Sequence, residues 1–212
     1  MWITRSISRC RNAAIVRRGT TLGRSTLNLR RAMHSRLKTK TKKHLGQHLL
    51  VNANMLQSIA NAVKNCILAQ NTATLEVGDS EAGQSTRQPP RILEIGPGSG
   101  NLTETLLQLV RDGVARSLTA VEVDSVMIDA LRQRFNDELQ SRALIIQQQD
   151  VLQFLEDANV ASKDYSVIVG NLPYNISSPI LFRLMNDNQS RIRWGAAVFM
   201  FQKEFADRLT VS

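Results

Sequence analysis

No aspartate or glutamate occurs before Glu76, although 13 of the chain's 27 Lys and Arg residues fall within positions 1–50. The formal charge of +9 over 212 residues is therefore unevenly placed, and residues 51–212 alone carry −4. Such a balance excludes reading the net charge as a basic nucleic-acid-binding face on a folded body. A cationic leader and a mildly acidic body need separate explanations. Cysteine is scarce: Cys10 and Cys66 cannot build a disulfide framework or a zinc site, which fits a reducing compartment. No apolar run approaches the roughly 18–20 residues needed to span a bilayer, which excludes a transmembrane helix. With 5% aromatic and 42% hydrophobic residues the composition is that of an ordinary globular protein, not a fibrous or disordered one. The body beyond the leader is long enough for one core and too short for two.

Residues 1–36 lack acids, take all their positive charge from Arg, and scatter Trp2, Ile3, Ile7, Ile15, Val16, Leu22, Leu27 and Leu29 among the charges. That is the composition of a disordered transit peptide, and the preference for Arg favours the mitochondrial matrix over a plastid. Arg31-Ala32-Met33-His34-Ser35 is similar to a matrix-processing site. The alternative is a disordered basic arm that binds RNA non-specifically. Residues 37–53 form a second basic stretch, in which Lys38, Lys40, Lys42 and Lys43 are candidates for contact with RNA phosphates.

Further on, Met55, Ile59, Ala60, Val63 and Ile67 recur at helical spacing, which predicts a helix over 54–68 with Asn52 or Asn54 as its cap. Positions 70–90 have no period and end in Pro89-Pro90, the signature of a long flexible loop. From Arg91 the pattern alternates. Strands are expected at 91–95, 117–123, 143–147, 165–169 and 196–201, and helices at 102–110, 126–139, 151–155, 179–185 and from 202 onward. Alternation of this kind means right-handed crossovers and an α/β fold, a Rossmann-like parallel sheet with helices on both faces.

In such a sheet ligands bind beyond the carboxyl ends of the strands. The first strand runs into Gly96-Pro97-Gly98-Ser99-Gly100, where Gly96 and Gly98 would let a ligand approach the backbone. Glu122, at the end of the second strand, could bind both hydroxyls of a ribose, as either a dinucleotide or S-adenosyl-L-methionine would require. Glu94 separates the two. Its carboxylate would repel a pyrophosphate but suits the sulfonium and ammonium groups of S-adenosylmethionine. Asp150, after the third strand, could accept from the adenine amine, or could instead cap the helix that starts at Val151.

After the fourth strand comes Asn171-Leu172-Pro173-Tyr174, the Asn/Asp-x-Pro-aromatic tetrad of methyltransferases that act on exocyclic amines. An adenine amine is a weak nucleophile because its lone pair is delocalised into the ring. Two acceptors, the Asn171 side-chain oxygen and the Leu172 carbonyl, would draw it toward tetrahedral geometry as it attacks. Pro173 restricts Leu172 to extended backbone, and Tyr174 offers a face on which an unstacked base can lie. No strong base is needed, since the product ammonium loses its proton to water. A strand-to-helix turn uses similar residues, but not after Glu94, the glycine turn, Glu122 and Asp150 in that order.

With these residues in view, positions 43–209 resemble the KsgA-type ribosomal RNA adenine dimethyltransferase family, organellar members and mitochondrial transcription factor B proteins included. The resemblance is carried by Lys43 to Leu50, Leu93 to Thr103, Ala120 to Asp124, Gln149-Asp150, Gly170 to Ile180 and Phe199 to Glu204. It implies cofactor contacts by His48, Leu50, Gly96, Glu122, Asp150 and Asn171, catalysis at Asn171 with Tyr174, and stacking of Phe199 on the target adenine. The implied reaction is dimethylation of two adjacent adenines in a hairpin near the 3′ end of small-subunit rRNA. The implied partner is that rRNA or a pre-ribosomal small subunit, with no metal, no membrane and a monomeric full-length form.

Leu49 stands where the family usually has Phe, and the 70–90 insertion is unlike bacterial members. The family's sheet continues with two more strands, as an antiparallel hairpin, and then a helical domain. Both are expected to be absent here, which would leave the 196–201 strand as an open edge and mark the chain as C-terminally truncated. Two other functions compete. A non-catalytic transcription or ribosome-assembly factor of the same fold would have no need of the tetrad, and an NAD-dependent oxidoreductase leaves Glu94 and the tetrad unexplained.

Overall fold

In a computed structural model, residues 3–5, 12–17, 52–73, 89–157, 164–185 and 192–201 are described. The strands are β1 (Ile3–Arg5), β2 (Asn12–Arg17), β3 (Arg91–Ile95), β4 (Ser117–Glu122), β5 (Leu144–Gln148), β6 (Asp164–Asn171) and β7 (Arg193–Phe201). The helices are α1 (Ala53–Ala73), α2 (Asn101–Arg111), α3 (Ser125–Arg134), α4 (Asn136–Gln140), α5 (Val151–Glu156) and α6 (Tyr174–Met185).

The central strands are apolar on both faces, as a sheet covered on both sides requires. Ile92, Leu118, Ala120, Leu144, Val167, Val169, Ala196 and Val198 face one side, where Ile59, Val63 and Ile67 of α1 and Leu106 and Leu107 of α2 cover them. Their sequence neighbours Leu93, Val121, Ile168 and Ala197 face the other, under Phe154 and Leu155 of α5 and Ile180 and Leu184 of α6. Strand order is β1-β2-β7-β6-β3-β4-β5. From β3 onward all pairings are parallel, and the chain winds first toward β5 and then back past β3 to β6 and β7. The reversal falls between β3 and β6, so this is the Rossmann-like arrangement expected, and its switch point lies at the glycine turn.

Several boundaries differ from expectation for local reasons. Asn52 is the cap of α1, its Oδ1 accepting from the Met55 amide at 3.1 Å. The helix runs five residues past Leu68, into the stretch expected to be loop, and the Gln70 amide donates to the Ser166 carbonyl of β6 at 3.1 Å. The rest of that stretch, 74–88, lies outside the described residues, as does the helix expected from 202. The helix expected over 126–139 breaks at Phe135 (φ −121°, ψ 35°) into α3 and α4. Helix α6 begins at Tyr174 and carries Pro179 in its interior rather than at its start.

The largest correction concerns the leader. Residues expected to be disordered include β2, which pairs in parallel with β7 from Asn12↔Ala196 to Arg17↔Phe201, and β1, which pairs antiparallel with β2. The edge of β7 is therefore not open. An apolar edge strand is a template for pairing, and Asn12 to Val16 is an uncharged run between Arg residues.

Candidate cofactor and catalytic site

The site is built where β3 enters its turn. Gly96, Gly98 and Gly100 all have positive φ (68°, 53° and 83°), a region that L side chains avoid, which is why the turn is glycine-rich. The Gly96 amide donates to the Val121 carbonyl at 3.0 Å, tying the turn to the end of β4. Gly100 is needed twice over, since a Cβ there would lie 2.7 Å from both Leu131 and Phe135. Arg134 grips the turn from outside. Its guanidinium donates to the Ser99 carbonyl at 2.8 Å and to Asn101 Oδ1 at 3.2 Å, pairs with Glu104, and lies over the Phe135 ring.

Three carboxylates converge on this turn, each held differently. Glu94, the fourth residue of β3, is 1% exposed. Its Oε2 accepts from the Thr103 hydroxyl of α2 at 2.8 Å, while Oε1 has no hydrogen-bond partner among the described residues. Burial pushes the Glu94 carboxyl up to about 8, the Thr103 hydrogen bond opposing this and the nearby Glu122 charge adding to it. Glu122, at the end of β4, is buried and held by backbone amides through both oxygens. Its Oε2 accepts from the Gly98 amide at 3.1 Å and its Oε1 from the amides of Val123 and Asp124 at 2.9 and 3.0 Å. Asp150 caps α5, its Oδ1 accepting from Leu152 at 2.8 Å and Gln153 at 3.3 Å. The capping reading of Asp150 is thus realised, through one of its two oxygens.

Glu94, Gly96, Gly98, Glu122, Asp150, Asn171 and Pro173 all line one cavity of about 190 Å³, together with the half-exposed Val123. A buried carboxylate oxygen without a donor, in a cavity floored by glycine backbone, fits a ligand whose amino-acid end brings N–H groups and positive charge. Glu94 could hold that end, Glu122 a diol, and Asp150 or Val123 the edge or face of a base.

At the end of β6, Asn171 pairs in register with Met200, whose carbonyl accepts from the Leu172 amide at 3.2 Å. The Pro173 carbonyl receives the Ser177 amide at 3.1 Å and the Ser177 hydroxyl at 2.7 Å, anchoring the first turn of α6. The tetrad is therefore clamped from β7 on one side and α6 on the other. Leu172 buries its side chain in the core, at 4% exposure. Tyr174 opens α6, but its side chain lies outside the described residues, as do His48, Leu50, Lys38, Lys40, Lys42 and Lys43.

Phe199 corrects the resemblance. Expected to stack on a target adenine, it is 2% exposed, does not line the cavity, and packs against Phe201 at a centroid distance of 5.9 Å. The cause is the period of two along β7, which turns Ala197, Phe199 and Phe201 toward the α5 and α6 core.

Sequence reasoning missed Thr103, Arg134 and Gly170. A Cβ on Gly170 would lie 2.8 Å from the Ile95 carbonyl oxygen, so this glycine lets the ends of β3 and β6 approach at the switch point. Glycine next to the tetrad was a visible signal. Nothing in sequence spacing placed Arg134 beside Ser99.

The open parallel sheet, the glycine turn and the acids at strand ends define the fold class of S-adenosylmethionine-dependent methyltransferases. Comparison with known proteins goes further. Residues 38–212 match the family model described as ribosomal RNA adenine dimethylase, and the chain belongs to that family. It is 40% identical over 118 residues to the probable ribosomal RNA small subunit methyltransferase A of Methanospirillum hungatei, covering 56% of this chain and 40% of that one. It is 34% identical over 167 residues to the mitochondrial ribosomal RNA small subunit methyltransferase of Arabidopsis thaliana, covering 79% and 35%. Against ribosomal RNA small subunit methyltransferase A of Coxiella burnetii the identity is 34% over 174 residues, covering 82% and 54%. The chain thus matches between about a third and about half of the length of these relatives.

Proposed function

We propose that this chain carries the cofactor-binding and methyl-transferring core of an rRNA (adenine-N6,N6)-dimethyltransferase, acting on adjacent adenines in the 3′-terminal hairpin of an organellar small-subunit rRNA. The observation that carries this reading is a single cavity lined by Glu94, Glu122, Asp150, Asn171 and Pro173 at the topological switch point. Family membership supports it.

S-adenosylmethionine, when bound, supplies a methyl group made electrophilic by its sulfonium. The chain's own residues have three tasks. Glu94 and the glycine turn hold the amino-acid end, and Glu122, immobilised by three backbone amides, accepts from the ribose hydroxyls. Asn171 and the Leu172 carbonyl accept hydrogens of the target amine, holding its nitrogen toward the methyl as positive charge develops. The clamps on Leu172 and Pro173 keep the Leu172 carbonyl in place without reorganisation. Tyr174 offers the stacking face for the extruded base.

The Arg-rich leader is assigned to import into the mitochondrial matrix. The mitochondrial relative in Arabidopsis thaliana supports an organelle, a plastid being the alternative. Lys38, Lys40, Lys42 and Lys43 are assigned to rRNA phosphates, within the small-subunit rRNA or the pre-ribosomal particle.

The test is transfer of labelled methyl from S-adenosylmethionine to a small-subunit 3′ hairpin, with Asn171→Ala beside wild type, in this chain and in the full-length gene product. Dimethyladenosine from wild type and a loss of a hundredfold or more in the variant are expected. Equal transfer by both would overturn the mechanism. Failure of a folded protein to bind S-adenosylhomocysteine would favour a non-catalytic factor.

A further inference from the structure

The least explained group lining the cavity is Glu94, with Thr103 buried behind it. Thr103 is fully buried in the first turn of α2, and its hydroxyl spends itself on one oxygen of Glu94, at 2.8 Å. Burying both a hydroxyl and a carboxylate is costly unless each is satisfied, and the second oxygen, Oε1, is left without a donor. A core site needing only packing would be served by Val at 103 and an apolar residue at 94.

We propose that Thr103 is a positioning residue for the cofactor's amino-acid end: it holds Oε2 of Glu94 so that Oε1 is presented to an ammonium donor, which enters against the ionised carboxylate. This rests on the cofactor assignment above. In the free protein Glu94 keeps its proton over much of the neutral range, because burial disfavours its charge. On binding, the O–H bond of the carboxyl breaks, the proton leaves to solvent, and the ammonium N–H takes its place as the donor to Oε1.

The groups around Glu94 are consistent with this. From β4 it faces the Glu122 carboxylate, which opposes ionisation, and from α2 the Thr103 hydroxyl, which favours it. Asp150, before α5, lines the same cavity and adds negative charge, while β6 contributes the neutral Asn171. The ligand's ammonium supplies the missing positive charge.

The experiment is calorimetric titration of the full chain with S-adenosylhomocysteine, which carries the ammonium, and with methylthioadenosine, which lacks it, between pH 6 and 9. Titrations in buffers of different ionisation enthalpy count the protons released. Wild type should bind S-adenosylhomocysteine up to about tenfold more tightly per pH unit toward pH 8, releasing a proton. Methylthioadenosine should show neither effect. Thr103→Val should weaken S-adenosylhomocysteine selectively and move its pH midpoint upward, since the hydrogen bond that favours ionisation is gone. Thr103→Ser should restore both.

Equal weakening of both ligands by Thr103→Val, or an unmoved midpoint, would make Thr103 merely structural and overturn the inference while leaving the cofactor assignment intact. If Thr103→Val does not fold, the wild-type proton count and the midpoint of Thr103→Ala, which also lacks the hydroxyl, decide. No proton release by wild type overturns the inference. Binding of neither ligand to folded wild type overturns the cofactor assignment and the inference with it.

Discussion

The Gly98 amide donates to Glu122 Oε2 at 3.1 Å, so the centre of the glycine turn on β3 is fastened to the carboxylate that ends β4. Because Oε1 of the same carboxylate takes the amides of Val123 and Asp124, one side chain sets the shape of two loops. Glu122→Ala strands three amides at once. It is expected to lower stability by about 1–3 kcal/mol and S-adenosylhomocysteine affinity by at least tenfold, as read by urea denaturation and calorimetry. Native stability with affinity lost would confine Glu122 to ligand contact.

Glu94 predicts a pH dependence of stability whose sign is opposite to that of most carboxylates. Its carboxyl is raised to about 8 in the folded protein from an ordinary 4.5. Between those values the folded chain holds a proton that the unfolded chain has released. This group's contribution is therefore fully present below about 4.5 and is lost as pH rises to about 8. Without ligand, Glu94→Gln should be the more stable protein at pH 8.5, by an amount on the order of a few kcal/mol, and the gap should shrink toward pH 5. Parallel stability profiles would refute this.

Gly170 and Gly96 should fail differently when replaced by alanine. At Gly170 the new Cβ meets the Ile95 carbonyl at 2.8 Å, and backbone cannot swing aside, so β3 and β6 must part at the site. A loss of about 1–3 kcal/mol is expected, together with weaker ligand binding. At Gly96 nothing lies within 4 Å of the Cβ, but φ is +68°. There only the backbone strain is felt, about 1 kcal/mol. Thermal melts of the two variants distinguish crowding from strain.

Arg134→Met should act on the ligand more than on the fold. Its side chain is about one-third exposed and that of Glu104 more than half, so the Glu104 pair adds little to stability. Its hydrogen bond to the Ser99 carbonyl, by contrast, holds the cavity wall. The expectation is a change in melting temperature of only a few degrees and a three- to tenfold loss of S-adenosylhomocysteine affinity. An unchanged affinity would show that the turn is rigid without it.

Strand positions from β3 to β7 were legible because a parallel sheet buries both faces and writes short apolar runs between turn signals. The acids at three strand ends were legible for a related reason. A carboxylate following an apolar run has no structural excuse, so Glu94 and Glu122 stood out, and both line the cavity. What alternation could not give was the sidedness of a strand that is apolar throughout. Phe199 reads equally well pointing to either face, and only packing against Phe201 and α6 turns it away from the site. Contacts between distant segments, such as Arg134 with Ser99 or Gly170 with Ile95, leave no local pattern. The break at Phe135 was hidden because the apolar spacing continues across it.

The pairing of β2 with β7 bears on the order in which the sheet forms. Asn12 meets Ala196, the widest separation in sequence of any strand pair in the sheet, whereas β3 and β4 are joined by a single helix. Loop-closure entropy grows with the intervening length, and β2 has no template until β7 has docked on β6. The outer two strands are thus the final piece to zip, and in hydrogen exchange their amides should open before those of β3, β4 and β6.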